Sequence, residues 1–71
     1  MKMQRAAAVV RGALKKAGEN PKGRVSCRSN DYVSELSVDL RGIRGEALER
    51  VEAAINEMPP GDWTWNVSGA W

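Results

Sequence analysis

The chain has seventy-one residues, one cysteine and no histidine, which is the size of one domain and leaves an intramolecular disulfide impossible. The missing imidazole also excludes a thiol-and-imidazole zinc site and any Ser-His-Asp or Cys-His arrangement within the chain. The net charge of +2 hides a strong asymmetry. Residues 1–28 carry eight basic groups against one acid, and residues 29–71 carry three against eight. Such a split points either to internal complementarity or to two faces of opposite sign.

A chain this short buries only about 60% of the surface that its unfolded form exposes, so packing or a partner has to supply most of the stability. The apolar stretch from Ala6 to Val10 is too short to span a bilayer. A lone thiol suits a reducing compartment, so the expectation is a cytoplasmic protein with no membrane association.

The first predicted element is a helix from about Lys2 to Ala17. Met3, Ala6, Ala7, Val10, Leu14 and Ala17 fall at three-four spacing and form one stripe. Lys15 and Lys16 sit where the last turn favours positive charge, Gly18 offers a left-handed cap, and Pro21 prevents continuation. The stripe is mostly alanine, so this helix can approach a sheet closely while adding little bulk.

Two strands follow, around Arg24 to Arg28 and Glu35 to Arg41, each with a period of two, and Ser29-Asn30-Asp31-Tyr32 between them is turn chemistry. Residues directly opposite must share a face. Pairing Cys27 with Leu36 sets Val25 against Val38 on the apolar face. It sets Arg28 against Glu35, Ser26 against Ser37 and Arg24 against Asp39 on the other. The expected outcome is a hairpin with an ionic outer face and Cys27 as a small buried hydrophobe.

Gly42 and Gly45 bracket a loop before a second predicted helix, about Gly45 to Met58, with Leu48, Val51, Ile55 and Met58 as its buried stripe. Glu46 complements the helix dipole and can pair with Arg50, and Glu49, Glu52 and Glu57 face away from the stripe. Pro59-Pro60-Gly61 ends it. Trp63, Trp65 and Val67 then alternate with Thr64, Asn66 and Ser68, the pattern of a third strand over residues 62–68. A right-handed crossover makes the second and third strands parallel, and placing the third beside the first gives the order 2-1-3 with both helices on one face. The expected fold is therefore a small two-layer α+β domain, αββαβ, over residues 1–71. Its core would join Val25, Cys27, Leu36, Val38, Leu40, Leu48, Val51 and Ile55, with Trp63 and Trp65 completing it. Trp71 is expected to be at least partly exposed.

No residue reads as catalytic, cofactor-binding or metal-ligating. Gly42-Ile43-Arg44-Gly45 lacks the spacing and the Lys-Ser/Thr of a phosphate loop, and the glutamates of the second helix read as a solvated face. Two surfaces remain as binding candidates. One is acidic, Glu46, Glu49, Glu52 and Glu57, with Trp71 as an aromatic contact to a partner or to a second copy of the chain in a homodimer. The other is basic, Arg5, Arg11, Lys15, Lys16, Lys22, Arg24 and Arg28, and is able to neutralise phosphates. Tyr32 is the one aromatic near it, so base stacking has little support.

Two resemblances enter here. Ser34 to Glu52, containing Asp39-Leu40-Arg41-Gly42 and then an acidic helix, is similar to the opening of a Smr nuclease domain. The second-half motif of that family, His-Gly-x-Gly, is absent, and nuclease activity is not carried over. The wider pattern resembles one of the large polyvalent protein-associated domains of phages and conjugative elements. It comprises the alanine- and lysine-rich helix Ala6 to Ala17, Arg24-Val25-Ser26-Cys27-Arg28-Ser29, a short turn with Tyr32, an alternating strand and a helix. It covers roughly residues 6–57. It implies a mobile-element origin and, by analogy with small phage proteins, a non-enzymatic inhibitor of a host defence complex such as a CRISPR effector. The alternative expectation is a small nucleic-acid-binding protein using the first helix and first strand.

Overall fold

The computed structural model describes residues 1–69. The elements are α1 (Met3–Lys16), β1 (Val25–Ser29), β2 (Ser34–Asp39), α2 (Gly45–Asn56) and β3 (Thr64–Ser68). This is the expected αββαβ order in a small α+β domain, with α2 ending two residues earlier than its apolar spacing suggests.

α1 buries Ala6, Ala7, Val10 and Leu14, which lie within the predicted stripe. Its end is closed by a Schellman pair: Gly18 N–H donates to the Lys15 carbonyl (3.1 Å) and Glu19 N–H to that of Leu14 (2.9 Å). Gly18 holds φ at +84°, which a residue with a Cβ adopts only at a cost.

β1 and β2 pair antiparallel in the predicted register: Val25 opposite Val38, Cys27 opposite Leu36, Arg28 opposite Glu35. The hairpin is closed by Asn30, whose side-chain oxygen accepts from the backbone N–H of Tyr32 and of Val33, both at 2.8 Å, an Asx turn.

The strand order is β1-β2-β3, with β3 parallel to β2, which corrects the expected order 2-1-3. Two physical reasons favour the observed order. A single helix joining two parallel strands returns most directly to the neighbouring position. The centre of a sheet also belongs to the strand with most to bury. β2 and the residue after it bring Leu36, Val38 and Leu40, each at most 1% exposed, whereas only Val25 of β1 is buried. β3 continues the same face, placing Trp65 beside Leu36 and Val67 beside Val38.

The core lies between that sheet face and the two helices. It unites the α1 stripe with Val25, Leu36, Val38, Leu40, Ile43, Val51 and Ile55. Leu48, Trp63, Trp65 and Val67 pack against its margin, half-buried. Ile43 is 4% exposed and was not read as core, because it sits between glycines outside any periodic segment. Cys27, expected to be buried, is exposed. It lies on the core side of β1, but the cover that reaches Val25 does not extend to the hairpin end of the strand.

Trp63 and Trp65 pack edge to face, with ring centroids 6.0 Å apart, so the tail contributes apolar bulk as expected. Trp63 also depends on Gly61: a Cβ there would fall 1.7 Å from the Trp63 ring. Gly69 is equally constrained, since its Cβ would lie 2.6 Å from the backbone nitrogen of Arg41.

Candidate interaction surfaces

The outer face of the sheet carries Ser26, Arg28, Glu35, Ser37, Asp39, Thr64, Asn66 and Ser68, because these residues alternate with the core-facing set. The ionic ladder expected there does not form as read. Arg24 and Asp39 are opposite, and Asp39 N–H donates to the Arg24 carbonyl at 2.7 Å. The Arg24 guanidinium, however, donates to the backbone carbonyls of Asp39 (3.0 Å) and Arg41 (2.9 Å). The Asp39 carboxylate instead takes a fork from Arg41, Nε and Nη2 both at 3.0 Å, and the Arg41 backbone N–H at 2.9 Å. A carboxylate that accepts charge-assisted bonds from a guanidinium is held ionised. Bonding from the Arg41 side chain and then from its backbone lowers the Asp39 pKa from 3.8 to about 2, and the same pair raises that of Arg41. Arg28 and Glu35 share the outer face, but Glu35 accepts from the Ser37 hydroxyl at 3.2 Å, and no ion pair joins it to Arg28 among the described residues.

The acidic candidates lie along α2. Glu46 accepts from Arg50 Nη2 at 2.6 Å, four residues on, as the spacing predicts. Its charge is thereby partly offset, and Arg44 stands just before the helix. Glu49 and Glu57 are exposed, and Glu52 is half-buried. Glu46 and Arg50, with Lys16, Ala17 and Ala47, also line an open cleft of about 250 Å³ where the end of α1 meets the start of α2. The cleft holds a single carboxylate, so it offers no acid–base pair. Trp71 lies outside the described residues.

The basic candidates are left largely unspent. Ion pairs among the described residues are confined to Arg41–Asp39 and Arg50–Glu46, so Arg5, Arg11, Lys15, Lys16, Lys22, Arg24 and Arg28 make no close ion pair among them. Of the two readings of the charge split, internal complementarity is therefore only partial: Arg24 lies near enough to Asp39 to help lower its pKa, and Arg28 stands opposite Glu35 without a close ion pair. Arg11 and Lys15 share one flank of α1, the flank beside β1, where Arg11 Nη2 reaches the Val25 carbonyl at 3.5 Å. Arg28 projects from the opposite side of the same strand. At the hairpin tip Tyr32 is 95% exposed, with Val33 beside it 45% exposed. Sequence reasoning gave Tyr32 little weight. The signal that marks it is the Asx turn at Asn30, which lifts the next residues away from the core.

No helix among the described residues is long and apolar enough to cross a membrane. Compared with models of protein families, with curated proteins and with solved structures, the chain matches none.

Proposed function

We propose that this chain is a non-enzymatic phage or mobile-element protein that binds a host protein complex and blocks it, as anti-CRISPR proteins do. The observation that carries the reading is the unspent charge. A domain whose seven cations on α1, β1 and their flanks make no close ion pair among the described residues carries a self-repulsion that a complementary partner relieves. Glu49 and Glu52 on α2 and Glu57 at its C-cap add an acidic surface, suited to occupying a groove that otherwise holds nucleic acid. The resemblance over residues 6–57 supplies the setting, a host defence complex such as a CRISPR effector.

The experiment is affinity capture from nuclease-treated bacterial lysate with the chain as bait. The reading expects one multi-subunit protein complex, retained in fixed proportion and inhibited by the added chain. Retention of nucleic acid alone, or of no protein in fixed proportion, contradicts it.

A second reading has its own observation. Tyr32 stands exposed at the tip of a hairpin whose β1 arm carries Arg28, which is the pairing of an aromatic platform with a phosphate-neutralising cation. A nucleic-acid-binding protein using α1 and β1 would show affinity for short duplex or single-stranded DNA that falls linearly with the logarithm of salt. A flat salt response excludes it.

A further inference from the structure

The free edge of β1 has a defined hydrogen-bonding phase. In an antiparallel ladder, bonded and non-bonded pairs alternate. At one end of the hairpin Asp39 N–H bonds to the Arg24 carbonyl, and at the other Asn30 N–H bonds to that of Val33. Both bonds put the even-numbered residues, from Arg24 to Asn30, in the bonded set. Val25, Cys27 and Ser29 therefore turn their N–H and C=O groups away from β2. Arg11 reaching the Val25 carbonyl from outside fits this direction. Apart from that one long contact, no bond to these outward groups is made among the described residues. The edge has no proline and no bulge in its pairing, two of the devices that blunt such an edge; it is short, five residues, and its one charged side chain is Arg28. The core side of the strand is also uncovered at its hairpin end, where Cys27 and Ser29 are exposed.

We propose that the β1 edge is a strand-addition site for an extended, acidic segment of a partner protein. Charge selects the occupant. A strand laid beside β1 would have Arg11 and Lys15 above it, on the helix side, and Arg28 below it, on the outer side. Carboxylates on either of its faces would meet a cation, while its backbone completes the ladder and its inward side chains cover Cys27. A second copy fits badly. A two-fold pairing centred on Cys27 satisfies the phase, but it sets the Arg11–Lys15 flank of one α1 against the same flank of the other. The proposal rests on the reading of the chain as a protein-binding module, and names the kind of surface it takes.

The test titrates isotope-labelled chain with a blocked synthetic peptide of alternating Glu and Val, with its Lys-for-Glu counterpart, and with oligothymidylate. The Glu peptide should shift and protect the Val25, Cys27 and Ser29 amides, and the Lys peptide should not. Cys27→Pro removes an outward N–H that makes no ladder bond, so the hairpin keeps its pairing, and it should weaken the Glu peptide by about tenfold or more through one lost bond and a blocked edge. Arg11→Glu with Arg28→Glu should reverse the preference between the two peptides, which keeps the test decisive should the proline variant unfold. Unmoved β1 amides, or equal binding to folded Cys27→Pro, overturn the proposal, and so does perturbation of those amides by oligothymidylate in place of the peptide. Capture of the host complex by Cys27→Pro at undiminished yield sinks the edge site and leaves the binding function standing. Binding of the peptide without capture of any complex by the native chain does the reverse.

Discussion

Single residues decide how this small core closes. Leu36 has no exposed surface and sits at the middle of the central strand, between Cys27 and Trp65. Leu36→Ala should cost about 2–5 kcal/mol, a large part of the roughly 5–15 kcal/mol that holds native proteins folded. Gly61→Ala should also destabilise, because its methyl would enter the space of the Trp63 ring, and its effect should disappear in a Trp63→Ala background. Thermal melting of the single and double variants checks both. Asp39 supplies a pH signature. Its carboxyl is depressed from 3.8 to about 2 in the fold, so its contribution is complete above 3.8 and is lost as pH falls toward 2. Denaturant unfolding across that window should show stability declining toward acid, and Asp39→Asn should flatten the decline. An unchanged slope in the variant would remove the Arg41 fork from the account.

At the scale of the elements, much of the fold is legible in the sequence. Both helices and the β1–β2 register followed from periodicity and from the demand that opposite residues share a face, and the parallel β2–β3 relation followed from the right-handed crossover. The strand order did not follow, although the clue was present: β2 and the residue after it offer Leu36, Val38 and Leu40, and β1 only Val25 and Cys27, so β2 belongs at the centre. Cys27 was misread because alternation reports which side a residue faces and not how far the covering helix reaches. The charge ladder was misread because a guanidinium has a choice of acceptors. Arg24 found two backbone carbonyls, and Asp39 found Arg41 two residues away, a local contact with less chain entropy to lose. β3 closes the sheet, so removing residues 62–71 should strip Trp65 and Val67 from the β2 flank and unfold the domain. Retained cooperative melting in that deletion would reduce the tail to an appendage.

At the scale of the molecule, the sequence split of charge leaves α1 and the β1 edge basic, while the outer sheet face mixes Arg28 with Glu35 and Asp39. Part of the acidic side is spent on Arg41–Asp39 and Arg50–Glu46, while the basic side of α1 and β1 remains open. The candidate site was legible as a list of cations and illegible as a surface, because nothing in the chain order says that the Arg11–Lys15 flank lies along a free strand edge. The measurement that tests this most directly is the affinity of the captured host complex for the native chain and for Lys15→Glu with Arg28→Glu. Both positions are exposed and without ion pairs among the described residues, so melting should hold within about 0.5 kcal/mol for each substitution. The account predicts binding at least about tenfold weaker in the variant, carried mainly by slower association at low salt. Undiminished affinity with unchanged melting would contradict it and move the interface to another face of the molecule.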